Sequence, residues 1–455
     1  MATDDLQLDD GSKVSIVGGG PAGSFFAFFL IDMAERYGID LHVDIYEPRD
    51  FSRPGPAGCN MCGGIISESL VQNLAAEGIV LPPTVVQRGI DSYMLHMDSG
   101  SVRIDTPLNE KRIAAVYRGP GPRDIKEIKW DSFDGHLQNL AISKGANVIR
   151  KRVSEIKWVE NRPQVIIRGE EPLPYDLLVL ATGVNATTKR MIKELDLAYK
   201  LPETTKTFIR EYYLGEETIA QKLGSSMHVF LLDIPRLDFA AIVPKGDYVT
   251  VCMLGEDIDK ELIDSFLNAK EVKQIFPPEL DLGNESCHCS PRISTHGAAY
   301  PYSDRIVFIG DIGVTRLYKD GIGAAYRTSK SAATTAIFQG ISAADFEEHY
   351  WPTCRTIEND NRIGKVIFFV THMIQKFRFA RRAVLNMTAR EQSNDGAQPR
   401  MSTVLWDTFT GSAPYKDIFL RTLHPAFLAR LFGDLAVSVV NLKSINNGNQ
   451  LEDVN

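Results

Sequence analysis

Residues 18–23 read Gly-Gly-Gly-Pro-Ala-Gly and follow at once on a short apolar segment, KVSIV at 13–17. The spacing is G-x-G-x-x-G, and its chemistry is anion binding. Gly18 permits a tight turn, Gly20 lets backbone approach a pyrophosphate, and Gly23 lets a helix pack closely on a strand. Pro21 and Ala22 open that helix, whose N-terminus attracts negative charge. The helical pattern runs from about Pro21 to Tyr37, and a second strand, LHVDIYE, ends at Glu47, 24 positions after Gly23. A carboxylate there can accept hydrogen bonds from ribose hydroxyls. The strand–turn–helix–strand context favours a dinucleotide site over a bare structural turn. The cysteines form a second reactive group: Cys59 and Cys62 as one pair, Cys287 and Cys289 as another, Cys252 and Cys354 alone. Three readings stay open for them: a Cys59-x-x-Cys62 redox dithiol, a four-cysteine metal or cluster site, and free thiols. Cys-His-Cys at 287–289 is a poor chelate, because neighbouring side chains on a strand alternate faces.

Two further segments bear on the cofactor. Ala181-Thr182-Gly183 closes the apolar strand YDLLVL and resembles the ATG segment of flavoproteins with two dinucleotide-binding domains. Gly310-Asp311 follows RIVFI and resembles the flavoprotein GD motif, whose Asp binds the ribityl chain. A strand–Gly–Asp order delivers that Asp to the carboxyl end of the sheet, where ligands bind. Lys319-Asp320-Gly321-Ile322-Gly323 then opens a helix whose N–H groups can face pyrophosphate or flavin carbonyls. Three motifs in this order point to FAD rather than NAD.

The segment Gly58-Cys59-Asn60-Met61-Cys62-Gly63-Gly64-Ile65 is similar to the Cys-Gly-Gly loop of geranylgeranyl-reductase-type flavoproteins, a family within the broad group that includes the aromatic hydroxylases. The helix around Phe133-Asp134-Gly135-His136-Leu137 also matches that family's pattern, and the resemblance spans roughly 13–340. It implies that Cys62 lies near the flavin, takes part in reducing an isoprenoid double bond, and is the catalytic residue. An ordinary thiol, with a pKa of about 8.5, is protonated at neutral pH and can supply the proton. The motifs and the resemblance together place Gly18, Gly20, Pro21, Ala22, Gly23, Glu47, Gly63, Gly64, Ala181, Thr182, Gly183, Gly310, Asp311, Gly321, Ile322 and Gly323 at the cofactor, and no metal is expected. The sequence also departs from the family. The family's cofactor-binding Arg, three positions before that Phe, is here Trp130, and Gly-Glu-Gly-Ile is here Lys319-Asp320-Gly321-Ile322. The family's aromatic substrate motif has only a weak counterpart in 239–251. His288 and His296 are assigned no acid role.

The expected activity is therefore FAD-dependent reduction of carbon–carbon double bonds in an isoprenoid lipid or quinone chain. The alternatives are an FAD-dependent monooxygenase and a flavin electron-transfer module serving quinone or a partner protein. The expected substrate is a small molecule or lipid, and the sequence does not identify the electron donor, with NAD(P)H and a ferredoxin-like carrier both open. A single G-x-G-x-x-G gives no sign of a second nucleotide site.

The elements that must position these groups form an α/β chain. The expected organisation is a discontinuous Rossmann-type FAD domain (1–90, 131–200, 301–345), a strand-rich substrate domain (91–130, 201–300) and a helical C-terminal region (346–455). Residues 65–77 read as helix, 91–117 as antiparallel strands, 131–144 as helix, 147–159 as strand and 323–339 as helix. FAAIVP and YVTVCML are the clearest strands of 206–255. With 455 residues, 44% hydrophobic and 24% charged, the chain has material for a sizeable core. A net charge of -8 without basic runs argues against nucleic acid. The acidic start MATDDLQLDD lacks the pattern of a signal peptide, so a cytoplasmic location is expected. The tail mixes apolar and basic residues in VIFFVTHMIQKFRFARR (366–382) and carries Ile418, Phe419, Leu423, Phe427, Leu428, Leu431, Phe432 and Leu435. Their spacing by threes and fours fits packing on the protein's own core. A second reading is peripheral membrane contact to collect a lipid.

Overall fold

The computed structural model describes residues 6–59, 63–107, 113–125, 127–185, 188–283, 287–393 and 398–452, with side chains to residue 439. Its first layer is a six-stranded sheet in the order Tyr302–Ser303, Ile306–Phe308, Leu177–Leu180, Lys13–Val17, His42–Tyr46, Asn147–Ile149. All neighbours run parallel except the edge pair at 302–308. Parallel strands covered on both faces read as unbroken apolar runs. Leu177, Leu178, Val179 and Leu180 show this, each with no exposed surface. Helix Pro21–Tyr37 and helix Gly321–Phe338 lie together over the sheet. Ala332, Ala333 and Ala336 keep the second helix slim. Its Ser329 hydroxyl donates to the carbonyl of Ala22 at 2.8 Å, and Tyr326 sets its ring edge-on to Phe25 and Phe29. This is the Rossmann-type layer expected.

The second large sheet has seven strands, in the order His288–Cys289, Phe208–Tyr213, Tyr248–Gly255, Leu237–Lys245, Ser226–Phe230, Ser92–Met97, Gly100–Asp105. Pairing is antiparallel except between 226–230 and 92–97, which run parallel. Side chains on a strand alternate between faces. In Leu237–Lys245 the alternation puts Phe239, Ala241 and Val243 on one core face and Ala240 and Ile242 on the other. The second face is closed by helix Lys260–Asn268, capped by the Asp259 carboxylate. The first faces the helical C-terminal region through Trp406, Phe409 and Tyr415.

The segment 147–159 is not one strand. Asn147–Ile149 joins the parallel sheet, whereas Val153–Val159 starts a separate antiparallel meander with Arg162–Ile167 and Leu173–Pro174. The charged run Arg150-Lys151-Arg152 separates them, and Arg150 turns back to bond the carbonyl of Arg49 and the side chain of Gln138. Residues 65–77 likewise divide, into strand Ile65–Ile66 and helix Glu68–Ala76 capped by Ser67. The last helix of the nucleotide layer begins at Gly321, two residues before Gly323.

In the tail, Ile418 and Phe427 are buried, and Ile363, Ile367, Phe368 and Ile374 pack on the same core. Val366, Phe369, Val370, Leu423 and Phe432 remain exposed. Among the described residues no helix is long and apolar enough to cross a membrane.

Candidate active site

The turn after the first strand is set by contacts that only glycine allows. A Cβ at position 18 would lie 2.4 Å from the carbonyl oxygen of Ala181, and one at position 23 would lie 1.9 Å from that of Gly18. Gly18 also holds φ at +110°, outside the range of L side chains. Glu47 braces the turn from the next strand. Its carboxylate accepts from the Gly19 N–H at 3.0 Å and from the Arg49 N–H at 2.9 Å. Helix Pro21–Tyr37 starts without a side-chain cap, and so does Gly321–Phe338. Uncapped helix starts leave N–H donors free for another acceptor. Helices Glu216–Lys222 and Arg400–Thr410 also start without one, whereas Ser132 and Ser67 cap helices that start elsewhere.

Both uncapped starts open on one cavity of about 800 Å³. Its walls hold Gly18, Gly20, Pro21 and Ala22 from the first turn, Glu47 from the end of the next strand, and Gly63 and Gly64 from the loop after it. They also hold Ala181, Thr182 and Gly183, then Asp311, Gly321 and Ile322. Three motif glycines do not line it and serve packing. Gly23 contacts Gly18; at Gly310 a Cβ would lie 2.7 Å from that of Ala22, and at Gly323 it would lie 2.1 Å from the Asp320 carboxylate. Cys62 lies outside the described residues. The adjoining Gly63 sits against Cys252, whose sulfur would be 2.9 Å from a Cβ at 63.

One group escaped the sequence reading. The arginine missing at 130 has no counterpart there, and Trp130 lies beside Gly246 instead. Arg118, however, lines the cavity and is clamped by Asp134: two N–H groups reach the two carboxylate oxygens, the Nη2–Oδ2 bond being 2.9 Å. Asp134 is fully buried. Ser132 caps helix Phe133–Ser143 and also donates to the Arg118 carbonyl, which fixes the pair at the helix start. Burial pushes the Asp311 carboxyl up, and the positive charge of Arg118 opposes the shift. The only sequence signal was Asp134 itself, an acid in the first turn of a helix, and nothing local ties it to residue 118. Arg49, Arg152, Arg190 and Arg292 add positive charge to the walls.

The remaining wall is apolar. Met227, Phe239, Ala241, Val243 and Leu254 come from the seven-stranded sheet, and Phe409 comes from helix Arg400–Thr410. Cys252 pairs across strands with Ala241 and lines the same wall, as does Lys319. Residues 239–251, a weak motif in sequence, thus include the strand that walls the cavity.

Of the other cysteines, burial pushes the Cys289 thiol far up and Cys354 up to about 12, so neither is a ready thiolate. Among the described residues no three His, Cys, Asp or Glu side chains are arranged to hold a metal. His296 is exposed and pairs with Glu203 at 2.9 Å. His288 sits in the edge strand 288–289, near the ring of Phe208.

No protein-family model matches the sequence, and no curated protein matches it. Solved structures do match in fold. A geranylgeranyl bacteriochlorophyll reductase-like protein from Thermoplasma acidophilum is 14% identical, with a TM-score of 0.62 over 91% of this chain and 99% of that one. A mutant of the halogenase PltM in complex with FAD is 11% identical, with a TM-score of 0.58 over 95% of this chain and 92% of that one. The p-nitrophenol 4-monooxygenase PnpA from Pseudomonas putida DLL-E4 is 13% identical, with a TM-score of 0.57 over 90% of this chain and all of that one. At such identities the likeness is one of fold.

Proposed function

We propose that this chain is an FAD-dependent oxidoreductase that acts on a mainly apolar small molecule or lipid. The observation that carries the reading is the shared cavity of about 800 Å³. Three separate motif segments and two uncapped helix starts meet at one part of it, and an apolar sheet face forms another. In this reading the N–H groups of Pro21–Tyr37 and its glycine turn face the pyrophosphate, and Glu47 faces a ribose. Asp311 faces the ribityl chain, and Arg118 supplies the cation that residue 130 does not. Bound FAD would supply two-electron chemistry; the chain's own part is to orient the substrate, exclude water and place a proton.

The finer reading is reduction of a carbon–carbon double bond in an isoprenoid lipid or quinone chain. It is supported by the Cys-Gly-Gly loop and by the fold of the Thermoplasma protein. Cys62 would deliver the proton from its thiol. Monooxygenation is the second reading, favoured by the same fold in PltM and PnpA and by a chamber that suits an aromatic ring as well as a prenyl chain.

The test is turnover of FAD-reconstituted protein, chemically reduced, with and without oxygen. Anaerobic turnover of a prenyl substrate supports the reductase, and product formed only with matching oxygen uptake supports the monooxygenase. In the reductase reading Cys62→Ser keeps FAD and lowers turnover about 100-fold, the scale of losing a general acid. Cys59→Ser changes it little. Full turnover by Cys62→Ser would remove that cysteine from the chemistry.

A further inference from the structure

We infer that Lys319 is the anchor for an anionic oxygen, a carboxylate or phenolate, on an otherwise apolar substrate bound against Phe239 and Phe409. The inference rests on the reading above for its claim that the apolar part of the cavity holds the substrate, and it adds the charge class of that substrate.

The geometry is that of a cation without an anion. The Lys319 Nζ lies 3.9 Å from the centre of the Phe239 ring and 5.3 Å from that of Phe409. Aromatic faces attract an ammonium, but they do not replace a hydrogen-bond acceptor. Among the described residues no carboxylate answers it. The adjoining Asp320 is taken by Arg327 at 3.0 Å and by Arg316 at 3.6 Å. Asp407, on the helix that carries Phe409, pairs with Arg421. Asp238, beside Phe239, acts on Tyr318. Among the described residues the ionisable groups that act on Lys319 are the Cys252 thiol, from the strand alongside, and Arg316 on its own turn. Burial, with Arg316 adding to it, pushes the ammonium down to about 7.

The turn that carries the lysine is strained and held from outside. Tyr318 and Asp320 flank it with φ of +57° and +53°, left-handed conformations that non-glycine residues avoid. Such strain persists only where surrounding contacts fix it, and it concentrates at ligand sites. The fixing contacts are present. The Leu317 N–H donates to Asn361 Oδ1 at 2.8 Å, Asn361 Nδ2 donates to the Thr315 carbonyl at 2.9 Å, and the Tyr415 hydroxyl donates to the Leu317 carbonyl. Arg316 bonds the carbonyls of Gly411 and Ala413. A lysine serving only to cover apolar surface would extend its head to solvent. This one lines the cavity on a turn held from 361 and from 411–415.

An entering carboxylate supplies the missing partner. The pair then gains a charge-assisted hydrogen bond in an apolar setting, which is worth more than a neutral one. Binding also restores the lysine's proton, so affinity for an acid falls as pH rises through the free lysine's range.

The experiment uses FAD-reconstituted protein and two probes, 4-phenylbutanoate and its neutral isostere 4-phenylbutanamide. Binding is followed by calorimetry and by the change in the flavin spectrum. Near about pH 6.5 the acid binds about tenfold or more tighter than the amide, the scale of a charged hydrogen bond. Acid affinity falls between about pH 7 and about pH 9, while amide affinity is flat. Lys319→Met binds acid and amide alike and keeps its FAD. Lys319→Arg keeps the preference for acid and loses the fall with pH, because guanidinium stays charged. Equal binding of acid and amide by the unaltered protein overturns the anchor, as does an acid preference that survives Lys319→Met. Loss of FAD from Lys319→Met would assign the lysine to the cofactor instead, and overturn it too. Failure of the unaltered protein to take up FAD at all is a separate outcome, read first, and it defeats the flavoenzyme reading itself.

Discussion

The cavity has two ends built on different principles. At the end beside the glycine turn the wall is built from glycine turns, strand ends and helix starts with arginines around them, and Glu47 braces the turn from behind. At the far end it is side chains on a sheet face, brought from strands 226–230, 237–245 and 248–255 and from helix 400–410. Backbone recognition is demanding about which residue occupies a position and nearly indifferent to what surrounds it. Side-chain recognition is the reverse. Its specificity lies in a combination of residues, none of which is unusual alone.

The sharpest test of that contrast is at the glycine turn. Gly18→Val forces a Cβ onto the Ala181 carbonyl and a side chain into positive φ. The loss should be about 4 kcal/mol or more, the exceptional end for one substitution. The expected protein has no flavin absorbance after reconstitution, and yellow protein at full stoichiometry would break the comparison. Next is Arg118→Met. It takes the guanidinium from the buried Asp134 carboxylate, and breaking a buried pair in this way costs about 3–5 kcal/mol. Denaturant midpoints measure it, and an unchanged midpoint would show that the pair is dispensable. The smallest expected effect is at the far end. Ala241→Leu narrows the chamber by a few methyl groups, so it should weaken an apolar ligand about tenfold while leaving FAD content alone. An equal loss of FAD would mean that the two ends are one site.

The same contrast explains what was legible in the sequence. The turn at 18–23, the strand 177–180 and Gly310-Asp311 each carry their reason locally, in glycine spacing and unbroken apolar runs, so their place in the sheet could be foreseen. The break at 150–152 could not, because three charged residues inside a strand-like pattern look the same whether the strand continues or departs. Arg118 was missed because its partner is 16 residues away, across a loop. The far wall was missed because alternation along 237–245 shows that a face exists without showing what it faces. The tail could be read as helical, but nothing in it showed that Asn361, Gly411 and Tyr415 hold a turn some forty to a hundred residues earlier.

That last set of bonds bears on inheritance. Surface loops and terminal segments usually vary without disturbing what lies inside. Here the backbone of 315–320 is held from 361 and from 411–415. A graft that joined residues 1–345 to another chain's tail would keep the glycine turn but lose the groups that hold Lys319 in place. Turn and tail must therefore change together, and their lineage is a single unit although the sequence separates them. A change of substrate would then arise partly through residues such as Asn361 and Tyr415, which do not line the cavity.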